Sequence, residues 1–118
     1  MLILIAGPYR SGTNDDPRLI QNNLDRLEAM ALPIFRKGHV PIIGEWLALP
    51  LLHLAGSQKP GDEIWNEIQY PVAHRLLEKC DAVLRIPGAS GGADQDVKKA
   101  RERGLKVYYH LNEIPDAE

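Results

Sequence analysis

The sequence predicts an α/β protein, a three-layer sandwich in which helices cover both faces of a small parallel sheet of four to five strands. Short apolar runs alternate along the chain with long amphipathic helical patterns, in the order βαβ(α)αβαβ. The first run, Leu2–Ala6, is apolar at every position, which is typical of a parallel strand covered on both faces. The helices are long enough for right-handed crossovers between such strands. With 118 residues and no internal repeat or linker, positions 1–118 are expected to form one domain.

The first half of the chain predicts a long helix followed by the second strand. Residues 15–17, an Asp-Asp-Pro run, are a helix-start pattern with an acidic cap and a proline at the first helical position. Apolar residues then recur at spacings of three and four, so one face of this helix is buried. Pro33 is expected to kink the helix or end its regular part, and Gly38 to stop it. The strand that follows, His39–Ile43, is expected to be shortened or displaced by Pro41.

The segment from Gly44 to Gly56 carries too many leucines for a solvated loop. It predicts a short buried helix broken at Pro50, and part of it is a candidate subunit interface. Trp46 is expected to pack in the core, with a base-stacking role as the alternative. Glu45 directly follows the second strand, so it is expected at the edge of the sheet where ligands of open α/β sheets bind.

The second half of the chain continues the alternation. A second long helix is expected over positions 64–76, interrupted at Pro71. Strands are expected at Asp81–Ile86 and Leu105–Tyr109, with a helix between them that ends at Gly104. Positions 111–118 are expected to form a short tail of about one helical turn.

The composition excludes several classes of function. A net charge of −2 offers no electrostatic reason to expect a nucleic acid or an anionic membrane as partner. Cys80 is the only cysteine and the four histidines lack a metal-binding spacing, so no disulfide framework, metal site or cofactor is expected. No apolar run approaches the ~20 residues of a membrane span, and the first run lacks the basic flank of a signal peptide. A cytoplasmic protein is the expectation.

Two glycine-rich loops follow the first and third strands, and both are expected at one edge of the sheet. The first, residues 7–12 (GPYRSG), carries Arg10, which can pair with a phosphate or carboxylate, and Tyr9, which can stack on a ring. The second, residues 88–96 (GASGGADQD), leads into a helix whose free N–H groups favour an anion. Ser90 and Asp94 are also ordinary cap residues, so this loop alone admits a purely structural role. Together the two loops predict a small-ligand site.

Four motifs give the chain a resemblance to a known family. They are Ile5-Ala6-Gly7-Pro8-Tyr9-Arg10-Ser11, Gly38-His39-Val40-Pro41, Leu77-Glu78-Lys79-Cys80-Asp81-Ala82-Val83 and Ser90-Gly91-Gly92-Ala93. In this order they resemble the nucleoside 2-deoxyribosyltransferase-like family, which includes the nucleoside 5′-monophosphate N-glycosidases. The resemblance covers most of the chain and implies a flavodoxin-like fold that assembles as dimers or higher oligomers, with sites near subunit interfaces. It also implies cleavage of the N-glycosidic bond of a nucleoside or nucleotide.

The resemblance assigns roles to individual residues. The family's nucleophile is a carboxylate four residues before a small helical residue, and this place is taken by Asp96, which precedes Ala100. Attack on the anomeric carbon forms a glycosyl-enzyme that water or a second base resolves, with an acid assisting the leaving group. Ser90 matches the serine that holds a 5′-phosphate. The candidate substrate-binding residues are Ser90, Gly7, Pro8, Arg10, Ser11, Glu45, Gly91 and Gly92, and Tyr9 is grouped with the catalytic candidates.

Two positions depart from the family's pattern. Asp96 is one methylene shorter than the family's glutamate, and Ala73 stands where the family carries an aspartate that contacts the base and assists its protonation. Asp94 is an alternative catalytic carboxylate. The candidate substitutes for the aspartate are His74, Arg75 and Glu45. These departures leave a second interpretation open, a nucleotide-binding or sensing module without catalysis on the same fold. A different small-ligand enzyme on this fold is the third.

Overall fold

The structure is a computed structural model and describes residues 1–117. One sheet contains four parallel strands: β1 (Leu2–Ala6), β2 (Val40–Ile42), β3 (Ala82–Arg85) and β4 (Lys106–Tyr108). Their order across the sheet is β2-β1-β3-β4, with Leu4 of β1 opposite Ile42 on one side and Val83 on the other. The predicted α/β fold is confirmed, with four strands in the sheet.

In the described part of the chain, residues 1–117, five α-helices connect the strands and cover both faces of the sheet. They are α1 (Pro17–Glu28), α2 (Ala31–Arg36), α3 (Gly44–Ala55), α4 (Glu63–Leu77) and α5 (Gly91–Glu102). The element order is the predicted one, with the first helix in two pieces. None of the helices within residues 1–117 combines the length and the apolar character that crossing a bilayer requires.

Two apolar clusters hold the layers together, one on each face of the sheet. Ile3 and Ile5 of β1 pack with α1 and α2, whereas Leu4 and Ala6 pack with α4 and α5. Successive side chains of a strand point to opposite faces, so a strand covered on both sides buries every residue. This is why the first apolar run has no polar position.

The first predicted helix is interrupted one turn earlier than expected. α1 ends at Glu28 and α2 begins at Ala31, whereas the kink was expected at Pro33. A proline ring collides with the helical carbonyl four residues before it, and that carbonyl belongs here to Ala29. The break therefore lies at Ala29, and Pro33 stands in the first turn of α2, where a missing N–H removes no helical hydrogen bond.

The helices α3 and α4 are continuous, so the predicted breaks at Pro50 and Pro71 are wrong. The two helices pack against each other around Leu52 and Trp65. This tertiary packing offsets the hydrogen bond that each proline removes. α3 ends at Gly56, whose φ of 87° lies in the left-handed region that favours glycine.

Trp46 is not a core residue, which corrects the expectation from the sequence. It is 36% exposed, and its indole N–H donates a hydrogen bond to the Glu28 carboxylate at 2.8 Å. Trp65, which is 7% exposed, is the tryptophan that packs between α3 and α4. Both tryptophans stand near the start of an apolar helical segment, so the local pattern does not distinguish them.

The C-terminal tail packs onto the fold after β4. It contains the expected single turn, a 3₁₀ turn at Leu111–Glu113. Ile114 is 1% exposed within the core, and the N–H of Ala117 donates to the carbonyl of Lys37 at 2.8 Å. Position 118 of the predicted tail lies outside the described residues.

Candidate functional site

A cleft lies at the carboxyl ends of β1 and β3, the two central strands. The strand order makes this the point where the chain switches direction across the sheet, and open α/β sheets bind ligands at such a point. The loops after β1 and β3 both reach the cleft, as predicted, and α3 and α4 complete its walls. Its polar lining includes Tyr9, Arg10, Glu45, Gln69, His74 and Asp96.

Asp96 enters the cleft from the second turn of α5. Burial and then the nearby charge of Glu45 raise the pKa of Asp96 to about 7, against smaller opposite effects of Lys99 and Arg85. Within residues 1–117, no donor makes a hydrogen bond to this carboxylate. Its oxygens are therefore available to a ligand.

Glu45 faces the same cleft from the first turn of α3, where its place after β2 predicts it. Its Oε2 accepts a hydrogen bond from the side-chain amide of Gln69 at 3.0 Å. Burial raises the pKa of Glu45, while the hydrogen bonds from Gln69 and from its own backbone N–H act to lower it. Two carboxylates in one poorly hydrated cleft do not readily ionise together, so the pair retains a proton near neutral pH.

Tyr9 and Trp65 form an aromatic wall of the cleft. Their rings are stacked, with centroids 6.1 Å apart and planes 14° from parallel. The side-chain amide of Asn23 donates to the Tyr9 carbonyl at 2.8 Å and holds the loop in place. Burial, and then the charge of Glu45, raise the pKa of Tyr9, so its phenol keeps its proton at neutral pH. Such a wall suits a planar ring. Trp46 is not among the residues that line the cleft.

Arg10 lies at the rim of the cleft, and its charge already has a partner. Its guanidinium donates to both carboxylate oxygens of Asp15, at 2.6 and 3.0 Å. It also lies against the backbone of Gly61, where a Cβ would come within 2.8 Å of the guanidinium carbon. The two charged side chains are 42% and 45% exposed, so solvent screens the ion pair and it contributes little to stability. A ligand anion at the rim can exchange with Asp15.

Close packing beneath the cleft accounts for the first loop's opening glycine. A Cβ on Gly7 would collide with Cγ1 of Ile86, so only glycine lets the two loops meet here. Gly88 has a φ of 118° and packs on the ring of Pro8. Arg85 braces the second loop by donating to the carbonyls of Ile86 at 2.5 Å and Gly88 at 2.9 Å. Pro8 thus supports the loop and does not line the cleft.

The start of α5 contributes Ser90 and Gly92 to the cleft. Ser90 is 8% exposed, and its Oγ accepts a hydrogen bond from the N–H of Ala93 at 3.1 Å. This is the capping role that the sequence left open. A hydroxyl has a donor as well as acceptors, so the Ser90 proton remains available to a ligand oxygen. Gly91 begins the helix but does not line the cleft.

Asp94, the alternative carboxylate, lies outside the cleft. Its side chain is 73% exposed and forms an ion pair with Arg85 at 3.0 Å, beside a separate groove on the outer side of α5. Of the residues predicted for the site, those that line the cleft are Gly7, Tyr9, Arg10, Ser11, Glu45, Ser90, Gly92 and Asp96. Those that do not are Pro8, Gly91 and Asp94.

α4 supplies a wall that the interpretation of the sequence missed. Trp65, Gln69 and Ala73 follow one another at intervals of four, so they share a helix face, and all three line the cleft. Gln69 is a polar residue on the otherwise apolar face of this helix, and this exception in the sequence pattern could have indicated that the face lines a site. Ala73 places only a methyl group at the cleft.

His74 also lines the cleft, whereas Arg75 does not. Burial, and then the charge of Lys99, lower the pKa of His74, so its imidazole is neutral at pH 7. Across residues 1–117, no group of three or more His, Cys, Asp or Glu side chains is arranged to hold a metal ion. The two carboxylates that line the cleft are those of Glu45 and Asp96.

A scan of the chain against protein-family models gives no match, and a search of curated proteins gives none either.

Proposed function

We propose that this protein cleaves the N-glycosidic bond of a nucleoside or nucleoside 5′-monophosphate, with Asp96 as the nucleophile. The observation that carries the proposal is the pair of carboxylates, Asp96 and Glu45, in one cleft at the switch point of the sheet. Glycosidic bonds are cleaved with retention by such a pair, one attacking the anomeric carbon and the other moving a proton. The resemblance of the four sequence motifs to the nucleoside 2-deoxyribosyltransferase-like family supports the same substrate class.

Asp96 is the better nucleophile of the two carboxylates. Its oxygens receive no hydrogen bond within residues 1–117, whereas Oε2 of Glu45 is engaged by Gln69. An oxygen of Asp96 bonds to C1′ of the sugar as the C1′–N bond breaks, and the electron pair leaves with the base. Water then releases the sugar, or a second base accepts it.

The remaining cleft residues suit the other parts of a nucleotide. The stacked pair Tyr9 and Trp65 offers an aromatic surface to the base or the sugar. Ser90 and the first N–H groups of α5 suit a 5′-phosphate, because a helix N-terminus favours an anion. Arg10 can leave Asp15 for a phosphate oxygen at the rim.

The test measures free base released from a panel of nucleosides and their 5′-monophosphates, with and without an added acceptor base. Base release that disappears in Asp96→Asn is the expected result. Asp94→Asn is the matched control, because Asp94 lies on the same helix outside the cleft. Undiminished release by Asp96→Asn would contradict the nucleophile, and no release by the wild-type protein would contradict the activity.

A nucleotide-binding module without catalysis is the second candidate. Two observations favour it. First, Asp96 has a shorter reach than a glutamate, and a shift of about 1 Å in a catalytic group lowers rates about 100-fold. Second, Ala73 brings only a methyl group to the cleft. This candidate predicts a thermal shift with one nucleotide and no release of base. Asp96→Asn would then leave the affinity unchanged or raise it, because it removes a negative charge near the phosphate.

We also propose that a second copy of this chain covers the outer face of α3. Leu47, Leu51 and Leu54 share this face and are 43%, 45% and 80% exposed. The only charged side chain of α3 is Glu45, which lines the cleft, so the outer face has no charge that would repel an identical copy. Pro41 lacks the N–H that strand addition at the edge strand β2 would use, which favours the helix face over the sheet edge.

A further inference from the structure

We propose that Glu45 donates the proton to the leaving base and that Gln69 is its positioning residue. This inference rests on the proposed glycosidic cleavage and supplies the acid that the reaction requires. A base that leaves as an anion is a poor leaving group, so protonation in the transition state lowers the barrier.

Three other proton-bearing side chains that line the cleft, those of Tyr9, His74 and Arg10, are poor donors. Tyr9 has a raised pKa, and the lowered pKa of His74 leaves its imidazole without the second proton. Arg10 holds its protons permanently and is bound to Asp15. Glu45 and Asp96 share the proton that the pair retains, and the reaction starts from the form in which Glu45 carries this proton and Asp96 is ionised.

The position of Glu45 suits a group that exchanges a proton with a ligand. It stands in the first turn of α3, on the wall of the cleft, and its Oε2 lies 3.0 Å from Nε2 of Gln69. Gln69 in turn belongs to α4, so two packed helices fix the carboxyl group. A proton carrier needs this restraint, because its transfer distance is short.

Gln69 has an unusual feature that fits this role. Its Oε1 is the one buried side-chain oxygen or nitrogen within residues 1–117 that lacks a hydrogen-bond partner. Rotation of the amide exchanges its oxygen and nitrogen, so Gln69 can donate to an ionised Glu45 or accept from a protonated one. An amide that serves both forms suits a carboxyl group that loses and regains a proton.

The reaction balances with these residues alone. An Asp96 oxygen bonds to C1′, the C1′–N bond breaks, and its electron pair stays on the base, which takes the proton from Glu45. The Glu45 carboxylate then takes a proton from water as the water oxygen bonds to C1′. The bond between C1′ and Asp96 breaks with its electron pair returning to Asp96, so both carboxyl groups are restored.

The test compares two substrates that differ in their need for a proton. One is the unmodified purine nucleotide that the wild-type protein cleaves best, and the other is its N7-methylated form, whose cationic base leaves without protonation. The rate measured is that of base release in a single turnover with the protein in excess, because this rate reports the first step and not the later attack of water that Glu45 also assists. Glu45→Gln is expected to lower this rate about 10²–10⁴-fold on the unmodified substrate and less than about 10-fold on the methylated one. Asp96→Asn is expected to abolish both. Glu67→Gln, at an exposed position of α4 outside the cleft, is the matched control.

Gln69→Met keeps the length of the side chain and removes its hydrogen bond. It is expected to lower the rate on the unmodified substrate about 10-fold while sparing the methylated one, a selectivity that general loosening of the fold would not produce. Thermal unfolding of each variant checks that it folds. If Glu45→Gln does not fold, Gln69→Met carries the same comparison.

Equal losses on the two substrates, or no loss on either, would overturn the assignment of Glu45 and leave the proposed function standing. A wild-type protein that releases base from no nucleoside or nucleotide of the panel overturns the proposed function, and this inference falls with it.

Discussion

The cleft and the outer surface of this protein use the same residue types in opposite ways. Asp96 and Asp94 are two residues apart on α5, yet Asp96 is partly buried in the cleft that Glu45 also lines, while Asp94 is 73% exposed and paired with Arg85. A helix turns by about 100° per residue, so side chains two positions apart point in widely different directions. The surroundings of a carboxylate, and not its place in a motif, therefore determine whether it can take part in chemistry.

Leucines and glycines show the same contrast. Leu52 is 4% exposed between α3 and α4, whereas Leu54 is 80% exposed on the outer face. A Cβ at Gly7 would collide with Ile86, whereas a Cβ at Gly91 would meet open space. The two glycines give a substitution and its matched control, and Leu54 gives a substitution on the outer face.

The largest expected effect separates the two aspartates by activity. Asp96→Asn is expected to lower base release about 10³-fold or more, because it removes the attacking group. Asp94→Asn is expected to stay within about twofold, since an exposed ion pair contributes little. Rates on the best substrate of the panel measure both. Similar losses in the two variants would break the contrast between cleft and surface.

The second effect separates the same aspartates by the pH dependence of stability. Folding raises the pKa of Asp96 from 3.8 to about 7, so the folded state holds a proton that the unfolded chain releases between these values. The contribution of Asp96 to the free energy of unfolding is therefore present below about pH 4 and is lost as the pH rises to about 7, a change of at most about 4 kcal/mol.

Urea unfolding at about pH 4 and about pH 7.5 measures this change. Asp96→Asn cannot ionise, so it is expected to lose that part of the pH dependence and to be more stable than the wild-type protein at the higher pH. Asp94→Asn is expected to follow the wild-type protein. A parallel pH dependence in all three proteins would contradict the burial of the Asp96 charge.

The third effect compares the two glycines. Gly7→Ala is expected to lower the free energy of unfolding by about 1–3 kcal/mol, because Ile86 is buried and the extra methyl overpacks the core. Gly91→Ala is expected to be neutral or to stabilise the helix by up to about 1 kcal/mol. Thermal unfolding of the two variants is the measurement. A Gly7→Ala protein as stable as the wild-type one would argue against the close approach of the two loops.

The smallest effect on the folded chain concerns the exposed leucines. Leu54→Lys is expected to change the stability of one copy by less than about 0.5 kcal/mol, because the side chain makes few contacts within the chain. It is expected to lower the mass in sedimentation experiments by introducing a charge into an apolar interface. Leu19→Lys, at a leucine of α1 that is 44% exposed, is the control and should not change the mass. A wild-type protein that sediments as a monomer would contradict self-association.

The local patterns of the chain predicted the strands and both loops of the cleft. Leu2–Ala6 and the glycine-rich segments that follow β1 and β3 behave as their composition indicates, because a buried parallel strand admits few other residues. Helix continuity was harder to predict. The first predicted helix is interrupted before Pro33, whereas Pro50 lies inside the continuous helix α3, whose packing against α4 offsets the hydrogen bond that this proline removes.

The sequence by itself determined the fold class, the order of the elements and the presence of Asp96 and Ser90 beside a glycine-rich turn, since these depend on residues close together in the chain. Only the tertiary structure decided that the charges of Glu45 and Asp96 lie close enough to interact, that Gln69 of α4 holds Glu45, and that Asp94 lies outside the cleft. These relations join α3, α4 and α5, which pack around the ends of β1 and β3. Sequence spacing carries no information on such distances, because it is the packing of the helices on the sheet that sets them.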